Sequence, residues 1–278
     1  MAARKRTKAM EPETPPYAAP ALEKGLDILE MLCRSEKPLS QTQIADGLGR
    51  SVGEIYRMLA CLVNRDYLVA IDDSYAVTTK LFELAHVNPP THRLLLEAAP
   101  LMQKLSSELD QSCHLTVYNQ GRQVVIAKID TPGGMGFSVR VGAELDVLVS
   151  ASGQVLLAFQ NAETRALRID ESARRRPTHA DSKIERTLDS VRACGFASIT
   201  SVQILGLQAV SFPILDSQGH AMAALTVPYA ERIDQRQRKL IPEVQKVLGA
   251  AARTLTERIG GAAAAQKAST ERTHAAQR

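Results

Sequence analysis

Serine, histidine and cysteine are the residue types in this 278-residue chain that could act as nucleophiles, proton carriers or metal ligands. The motif Ser-Ala-Ser-Gly at 150–153 lacks the GxSxG turn that exposes a nucleophilic serine, and no histidine lies in a matching motif. The four cysteines form no CxxC pair, and the six histidines lack metal-ligand spacing. GxxxxGK[ST] phosphate loops and GxGxxG fingerprints are absent. We therefore expect no catalytic residue, no metal site and no cofactor.

Charge and composition exclude several classes of protein. Lys plus Arg number 34 and Asp plus Glu 30, and this net charge of +4 excludes a strongly basic coat protein or an acidic disordered tail. No apolar run reaches the ~18 residues of a spanning helix, and the N-terminal segment lacks the apolar stretch of a secretory signal. We expect a cytoplasmic protein with no membrane partner. Residues 1–19, which are basic, and 261–278 are predicted to be flexible tails; the first either contacts phosphates or only aids solubility.

A helix-turn-helix is predicted at about residues 40–59, inside a module that spans 20–81. The helix before it is predicted to bury the apolar residues Leu22, Leu26, Leu29 and Cys33. Capping-box spacing, Ser40 with Gln43 and Ser51 with Glu54, predicts the starts of the two following helices. Two strand-like runs joined by an Asp-Asp-Ser turn then predict a hairpin, the wing of a winged helix-turn-helix. A three-helix packing module without a DNA function is the alternative.

The third helix is predicted to bury Ile55 and Leu59 and to turn its opposite face toward double-stranded DNA. The residues expected at this DNA-binding surface are Ser40, Gln41, Thr42, Arg50, Ser51, Val52, Gly53, Glu54, Tyr56 and Arg57. Residues 1–80 carry as many acidic as basic side chains, so the positive field that DNA requires must come from their placement. Two alternatives stay open: Arg57 pairs with an acid inside the module, and Glu54 caps the helix rather than accepting from a cytosine amine.

The second half of the chain changes to strand periodicity after linker helices predicted over 82–110. The linker's apolar stripe, interrupted by Pro100, is more than a short linker needs and predicts a dimer contact, a helix that covers the second domain, or both; it comprises Leu94, Leu101, Leu105 and Leu109. Runs such as CHLTVYN, QVVIAKID, MGFSVRV and AMAALTVPY predict strands, and SASGQVLLAF a helix. A closing helix is predicted from Asp234 to about Ile259. This pattern is typical of an α+β domain, here over 111–260, with a largely antiparallel sheet.

Both halves resemble one known family. The runs ALEKGLDILEML, LSQTQIADGLGRSVGEIYRMLACLVNRDYL and SYAVTTKLFELA are similar to the DNA-binding domain of IclR-type transcriptional regulators. The runs VRVG, SASGQVLLAF, CGF and GLQAVSFP resemble the family's effector-binding domain, which is related to GAF and PAS sensors. The resemblance covers about residues 20–258. It implies an α+β protein with an N-terminal winged helix-turn-helix, a linker helix and a C-terminal GAF/PAS-like domain.

The resemblance also implies a function, a ligand-responsive regulator that binds a palindromic operator as a homodimer or tetramer. The effector-binding residues that it implies are Leu148, Ser150, Ala151, Ser152, Gly153, Ala209, Ser211 and Thr226. A helix start offers N–H groups to an anion, and no arginine lies in this motif, so we expect a small carboxylate or hydroxylated organic acid held by N–H and hydroxyl donors rather than by a salt bridge. Capping alone is the alternative for Ser150 and Ser152. The alternative functions are a sensor or interaction protein without DNA binding, and an enzyme that uses the C-terminal pocket.

Overall fold

A computed structural model describes residues 19–87, 89–133, 136–179, 183–202, 204–230 and 239–261. The chain divides into two compact units between Pro89 and Pro90, and each is described by itself. The two predicted tails lie outside the described residues, apart from Ala19 and Gly261. Within the described residues, no helix combines the length and the apolar character needed to cross a membrane.

The first unit consists of short helices and a small sheet. Its elements are α1 (Pro20–Arg34), β1 (Leu39–Ser40), α2 (Gln41–Gly47), α3 (Val52–Asn64), β2 (Leu68–Ile71), β3 (Ser74–Val77) and α4 (Lys80–Val87). The antiparallel strands are ordered β1-β3-β2, and the β2–β3 hairpin follows the second and third helices as a wing does. The predicted winged helix-turn-helix is confirmed.

Each of the first three helices contributes at least one buried apolar side chain to the core of the first unit. Its buried members are Ile28, Leu32, Ile44, Ala45, Ile55, Leu59 and Leu68. The predicted buried face of α1 was wrong for three of its four residues, because Leu22 is 63% exposed, Leu26 is 49% exposed and Cys33 is exposed. The fourth, Leu29, is partly buried and packs against this core. Two apolar stripes run along α1, and the stripe that contains Ile28 and Leu32 is the one that packs against α3.

The second unit is built on a six-stranded antiparallel sheet with the strand order β6-β5-β4-β9-β8-β7. Its strands are β4 (Cys113–Asn119), β5 (Arg122–Ile129), β6 (Glu144–Leu145), β7 (Ala197–Thr200), β8 (Leu207–Leu215) and β9 (Ala221–Ala230). Its helices are α5 (Pro89–Leu109), α6 (Ala151–Ala158), α7 (Ala162–Arg175), α8 (Ile184–Cys194) and α9 (Ile241–Arg258), with a 3₁₀ turn at Pro177–His179. The predicted α+β architecture with an antiparallel sheet is confirmed.

The sheet buries both of its faces. One face packs against α5 and α9, and its core includes Leu105, Leu225 and Leu248. The other face packs against α6 and α8, and its core includes Leu156 and Leu188. Alternate residues of each strand therefore pack into different cores. Some of the strand residues on the α6 side, such as Ala209 and Thr226, lie beside the start of that helix.

Three local features of this unit differ from the predictions or lie outside the described residues. The run MGFSVRV does not form a strand in its described part, because Val125 of β5 exchanges hydrogen bonds with Gly142 and Ala143 further along the chain. Helix α5 continues through Pro100, so the predicted interruption was wrong. The closing helix is described from Ile241, and its predicted start at Asp234 lies outside the described residues.

Candidate functional site

Helix α3 presents a solvent-exposed face directly opposite its buried one. Ile55 and Leu59 are fully buried, whereas Tyr56 is 60% exposed and Val52 is 42% exposed. Gly53 and Arg57 are also exposed on this outer side. An exposed face on the second helix of a helix-turn-helix is the geometry that lets such a helix enter the major groove of DNA.

The charged residues of this surface differ in whether they already have partners. No described carboxylate pairs with Arg57, whereas Arg50 donates to Asp27 at 3.3 Å. Glu54 accepts from the Ser51 N–H at 3.0 Å and from Lys24 at 3.0 Å, and these contacts lower the pKa of Glu54 to about 2. The structure therefore uses Glu54 to hold the start of α3, and Arg57 is left available for a contact outside the protein.

The start of α2 lies against the start of α3. Ser40 and Gln43 form a reciprocal capping box, in which the Gln43 N–H donates to the Ser40 hydroxyl at 3.2 Å. The Gln41 side-chain amide donates to the Val52 carbonyl at 3.4 Å and links the two helix starts. Thr42 is exposed beside them. The structure thus brings most of the expected DNA-binding residues to two adjacent helix N-termini, with Tyr56 and Arg57 about one turn further along α3. Helix N-termini favour negatively charged groups such as phosphates.

A cavity of about 80 Å³ lies between the start of α6 and the sheet of the second unit. The expected effector-binding residues that line it are Ser150, Ala151, Ser152, Ala209 and Thr226. Most of the remaining wall is apolar and includes Phe137, Val139, Ile199 and Leu207. A small pocket with few polar groups in an apolar wall is typical of a site for a small organic molecule.

The other three expected effector-binding residues do not line the cavity. Leu148 is buried in the core beside α6. Gly153 lies so close to the preceding segment that an added Cβ would be 2.1 Å from the Val147 carbonyl oxygen. The Ser211 hydroxyl is hydrogen-bonded to the Thr226 hydroxyl at 2.9 Å, so it contacts a lining residue and not the cavity itself.

The two serines at the start of α6 have different roles. The Ser150 hydroxyl accepts from the Gly153 N–H at 3.1 Å, accepts from the Gln123 amide and donates to the Asp146 carbonyl, so it has no capacity left for a ligand. Ser152 is 2% exposed, and its hydroxyl has no partner among the described residues. Capping therefore accounts for Ser150, whereas Ser152 lines the cavity without acting as a cap.

His114 on β4 also lines the cavity, and sequence reasoning missed it. It lies directly opposite Thr226 in the strand register and is 4% exposed. Neither ring nitrogen has a hydrogen-bond partner, and burial lowers the pKa of His114 to about 4. No sequence motif contains this residue, because its position in the wall depends on the pairing of β4 with β9.

A larger cavity, of about 460 Å³, lies near the β4–β5 turn and the end of α7, and its wall contains none of the expected effector-binding residues. Its arginines already have partners: Arg122 pairs with Glu144, Arg176 with Asp146, and Arg175 donates to a backbone carbonyl. No group of three or more metal-ligating side chains occurs among the described residues. The unpaired polar groups of the smaller cavity make it the better candidate for an effector.

Comparison with known proteins matches both units to one family. Residues 21–71 match the IclR helix-turn-helix domain, and residues 90–257 match the C-terminal domain of bacterial IclR transcriptional regulators. The chain is 26% identical over 251 residues to the HTH-type transcriptional regulator KdgR of Dickeya chrysanthemi. That alignment covers 88% of this chain and 81% of KdgR. It is 25% identical over 244 residues to the glycerol operon regulatory protein of Streptomyces coelicolor, covering 86% of this chain and 96% of that protein.

A solved structure shares the fold. It is an IclR homolog from Microbacterium hydrocarbonoxydans complexed with 4-hydroxybenzoate, which matches with a TM-score of 0.70 at 17% identity and covers 86% of this chain and 98% of its own. The two domain matches account for most of the chain, in the order that the structure shows. The chain therefore belongs to the IclR family of bacterial transcriptional regulators.

Proposed function

We propose that this regulator binds a palindromic double-stranded DNA operator as a dimer or tetramer and that a small organic acid controls this binding. The observation that carries the proposal is the exposed outer face of α3, where Tyr56 and Arg57 point away from a fully buried Ile55. The protein acts without catalysis and in the cytoplasm, where its operator is. The names of its relatives, which are regulators of transcription, support both statements.

The DNA contact uses residues at the starts of α2 and α3. Arg57 supplies a guanidinium that reaches a guanine edge or a phosphate, and Tyr56 supplies a ring and a hydroxyl beside it. Thr42 and the helix N-termini hold the phosphate backbone. Arg50 and Glu54 support this surface through their internal pairs with Asp27 and Lys24, so we assign base reading to Arg57 rather than to them.

The effector enters the cavity at the start of α6. Its carboxylate accepts hydrogen bonds from the N–H groups of Ala151 and Ser152 and from the Ser152 hydroxyl, while the apolar wall holds the rest of the molecule. The relative complexed with 4-hydroxybenzoate supports this ligand class, since that molecule is a small hydroxylated carboxylate. The effector shifts the protein between two states by binding one of them more tightly.

The DNA-binding half of the proposal is tested by selecting duplexes from a randomised library with the full-length protein. We expect an inverted-repeat sequence and an affinity that falls steeply as salt concentration rises. If no sequence is enriched and the affinity for DNA does not depend on salt concentration, the protein is a sensor or interaction module instead.

The effector half is tested by replacing Ser152. The variant Ser152→Leu fills the cavity, so it should bind the selected operator normally but no longer respond to carboxylates that release the wild-type protein. Ser152→Ala, which removes the hydroxyl and leaves the space, should respond at a higher concentration. An unchanged response in Ser152→Leu, measured by calorimetry and operator release, would place the effector site elsewhere.

A further inference from the structure

His114 lies in the wall of the effector cavity, and its hydrogen-bonding groups are not satisfied there. Its side chain is buried, and both Nδ1 and Nε2 lack a hydrogen-bond partner. The cross-strand neighbour Thr226 is already paired with Ser211, so it does not satisfy the imidazole. A neutral imidazole has one hydrogen-bond donor and one acceptor. A buried imidazole that makes neither hydrogen bond costs the protein free energy of folding. The missing partner is therefore expected to come from a molecule inside the cavity.

The cavity contains no fixed charge that could receive a carboxylate. Its described lining residues include no Asp, Glu, Lys or Arg. The residue opposite His114 on β5 is Lys128, and its ammonium is held by both carboxylate oxygens of Asp130 at 2.9 Å. The start of α6 and the 201–207 segment contribute no titratable side chain to the described lining. A bare carboxylate in this wall would be a buried charge without a counter-charge, which is strongly unfavourable.

We propose that His114 takes up one proton from solvent when a small carboxylate binds, and that the resulting imidazolium is the counter-charge that holds the effector. The balance is simple: a neutral imidazole, a carboxylate and one proton give an imidazolium–carboxylate pair, and no covalent bond changes. The N–H groups of Ala151 and Ser152 then orient the carboxylate. This inference rests on the proposed function and specifies how its effector site is regulated, because occupancy becomes linked to pH.

The direction of the pH dependence follows from the two states of His114. In the empty cavity burial keeps the pKa of His114 near 4, so the imidazole is neutral at pH 7. A bound anion favours the charged form and raises this pKa. Between the two pKa values each bound carboxylate brings one proton, so the affinity falls by up to tenfold for each unit of rising pH. At pH 6 and above ordinary carboxylic acids are already almost fully ionised, so their own titration does not produce the effect between pH 6 and pH 7.

The experiment is calorimetry on the full-length protein with acetate, glycolate and 4-hydroxybenzoate as probes. Titrations at pH 6 in buffers of different ionisation enthalpy measure the number of protons taken up. We expect close to one proton per bound carboxylate, and a weaker affinity at pH 7 than at pH 6. His114→Asn, whose amide cannot be protonated, should bind at least roughly tenfold more weakly and show neither the uptake nor the pH dependence.

Thr116→Val is the matched control. Thr116 lies two residues along β4 on the same face, is fully buried and has an unpartnered hydroxyl, but it does not line the cavity. This variant should retain the affinity and the proton uptake of the wild type. If His114→Asn does not fold, ¹⁵N spectra of the histidines in the wild-type protein give the same answer, since a bound probe should convert a neutral imidazole to the cation.

The possible failures separate the two proposals. A probe that binds the wild type without proton uptake, or an uptake that persists in His114→Asn, overturns the role of His114 and leaves the proposed effector site intact. Binding of no carboxylate probe contradicts the proposed ligand class, and the role of His114 falls with it. An equal loss in Thr116→Val and His114→Asn shows a general effect on β4 and also overturns the inference.

Discussion

At the residue scale, the DNA contact depends most on Arg57, an exposed arginine of α3 with no carboxylate partner among the described residues. We expect Arg57→Ala to weaken operator binding by ~1–3 kcal/mol if the guanidinium reads a base, or to reduce the salt slope by about one if it contacts a phosphate. Its melting temperature should stay close to that of the wild type, because the substitution removes no internal contact. Binding isotherms at several salt concentrations and thermal melting provide the measurements.

Arg34→Ala is the control for this prediction. Arg34 is an exposed arginine at the end of α1 that pairs with Glu30 one helical turn earlier, so its loss removes the same charge away from α3. It should change operator affinity little. If Arg57→Ala instead lowers the melting temperature by several degrees while Arg34→Ala does not, Arg57 has a structural role and the proposed contact is wrong.

Single residues of the DNA-binding surface were predictable from sequence where one helix decides their placement, whereas Ala209 and Thr226 of the cavity wall came from the family resemblance. The outer positions Val52, Tyr56 and Arg57 follow from helical periodicity, because Ile55 and Leu59 fix which side is buried. His114 was not predictable in this way, because β4 must pair with β9 before the imidazole faces α6. Cys33 was misplaced because α1 carries a second apolar stripe that fits a helical repeat equally well.

At the scale of elements, α6 is fixed by its close approach to the segment before it. Gly153 lies in the first turn of α6, and an added Cβ would come within 2.1 Å of the Val147 carbonyl oxygen and within 2.5 Å of other backbone atoms. Backbone atoms cannot move aside as a side-chain end can, so we expect Gly153→Ala to destabilise the second unit by ~1–3 kcal/mol. Hydrogen exchange of the α6 amides, which should become faster, measures the effect where it arises.

The matched control is Gly25→Ala in the interior of α1. An added Cβ at Gly25 would meet no atom within 4 Å, so the variant gains helix propensity without overpacking. It should slow exchange of the α1 amides by an amount that corresponds to ~0.5–1 kcal/mol of added stability. Destabilisation by both substitutions, or by neither, would contradict the close packing inferred for Gly153.

Elements with strong local signals were predicted well, and those set by pairing were not. The capping boxes at Ser40 and Ser51 place the starts of α2 and α3, because the partner lies three residues away in each case. The run MGFSVRV alternates as a strand does, but its described part is not one, since β5 pairs instead with Gly142, Ala143 and β6. Which of two neighbouring segments completes a sheet edge is a non-local choice that alternation alone does not reveal.

At the scale of the whole molecule, the stripe on α5 no longer supports a dimer. Leu94, Leu105 and Leu109 are buried within their own unit, with Leu101 packed against the same core. The sequence showed an apolar face but not what covers it, and the sheet with α9 covers it. The expectation of a dimer therefore rests on a different argument, the two-fold symmetry of a palindromic operator.

The apolar residues of α1 that the core leaves exposed provide a candidate surface for this assembly. Leu22 and Leu26 are one helical turn apart, so they form one exposed patch on the first unit. We expect sedimentation at micromolar concentration to show at least a dimer, and Leu22→Glu with Leu26→Glu to weaken operator binding by disturbing the pairing of two DNA-binding units. Leu167→Glu, at an exposed leucine of α7, adds a carboxylate elsewhere and should leave operator binding unchanged. A monomer both with and without operator DNA would contradict the proposed mode of binding, because a single recognition helix cannot occupy two half-sites about 34 Å apart.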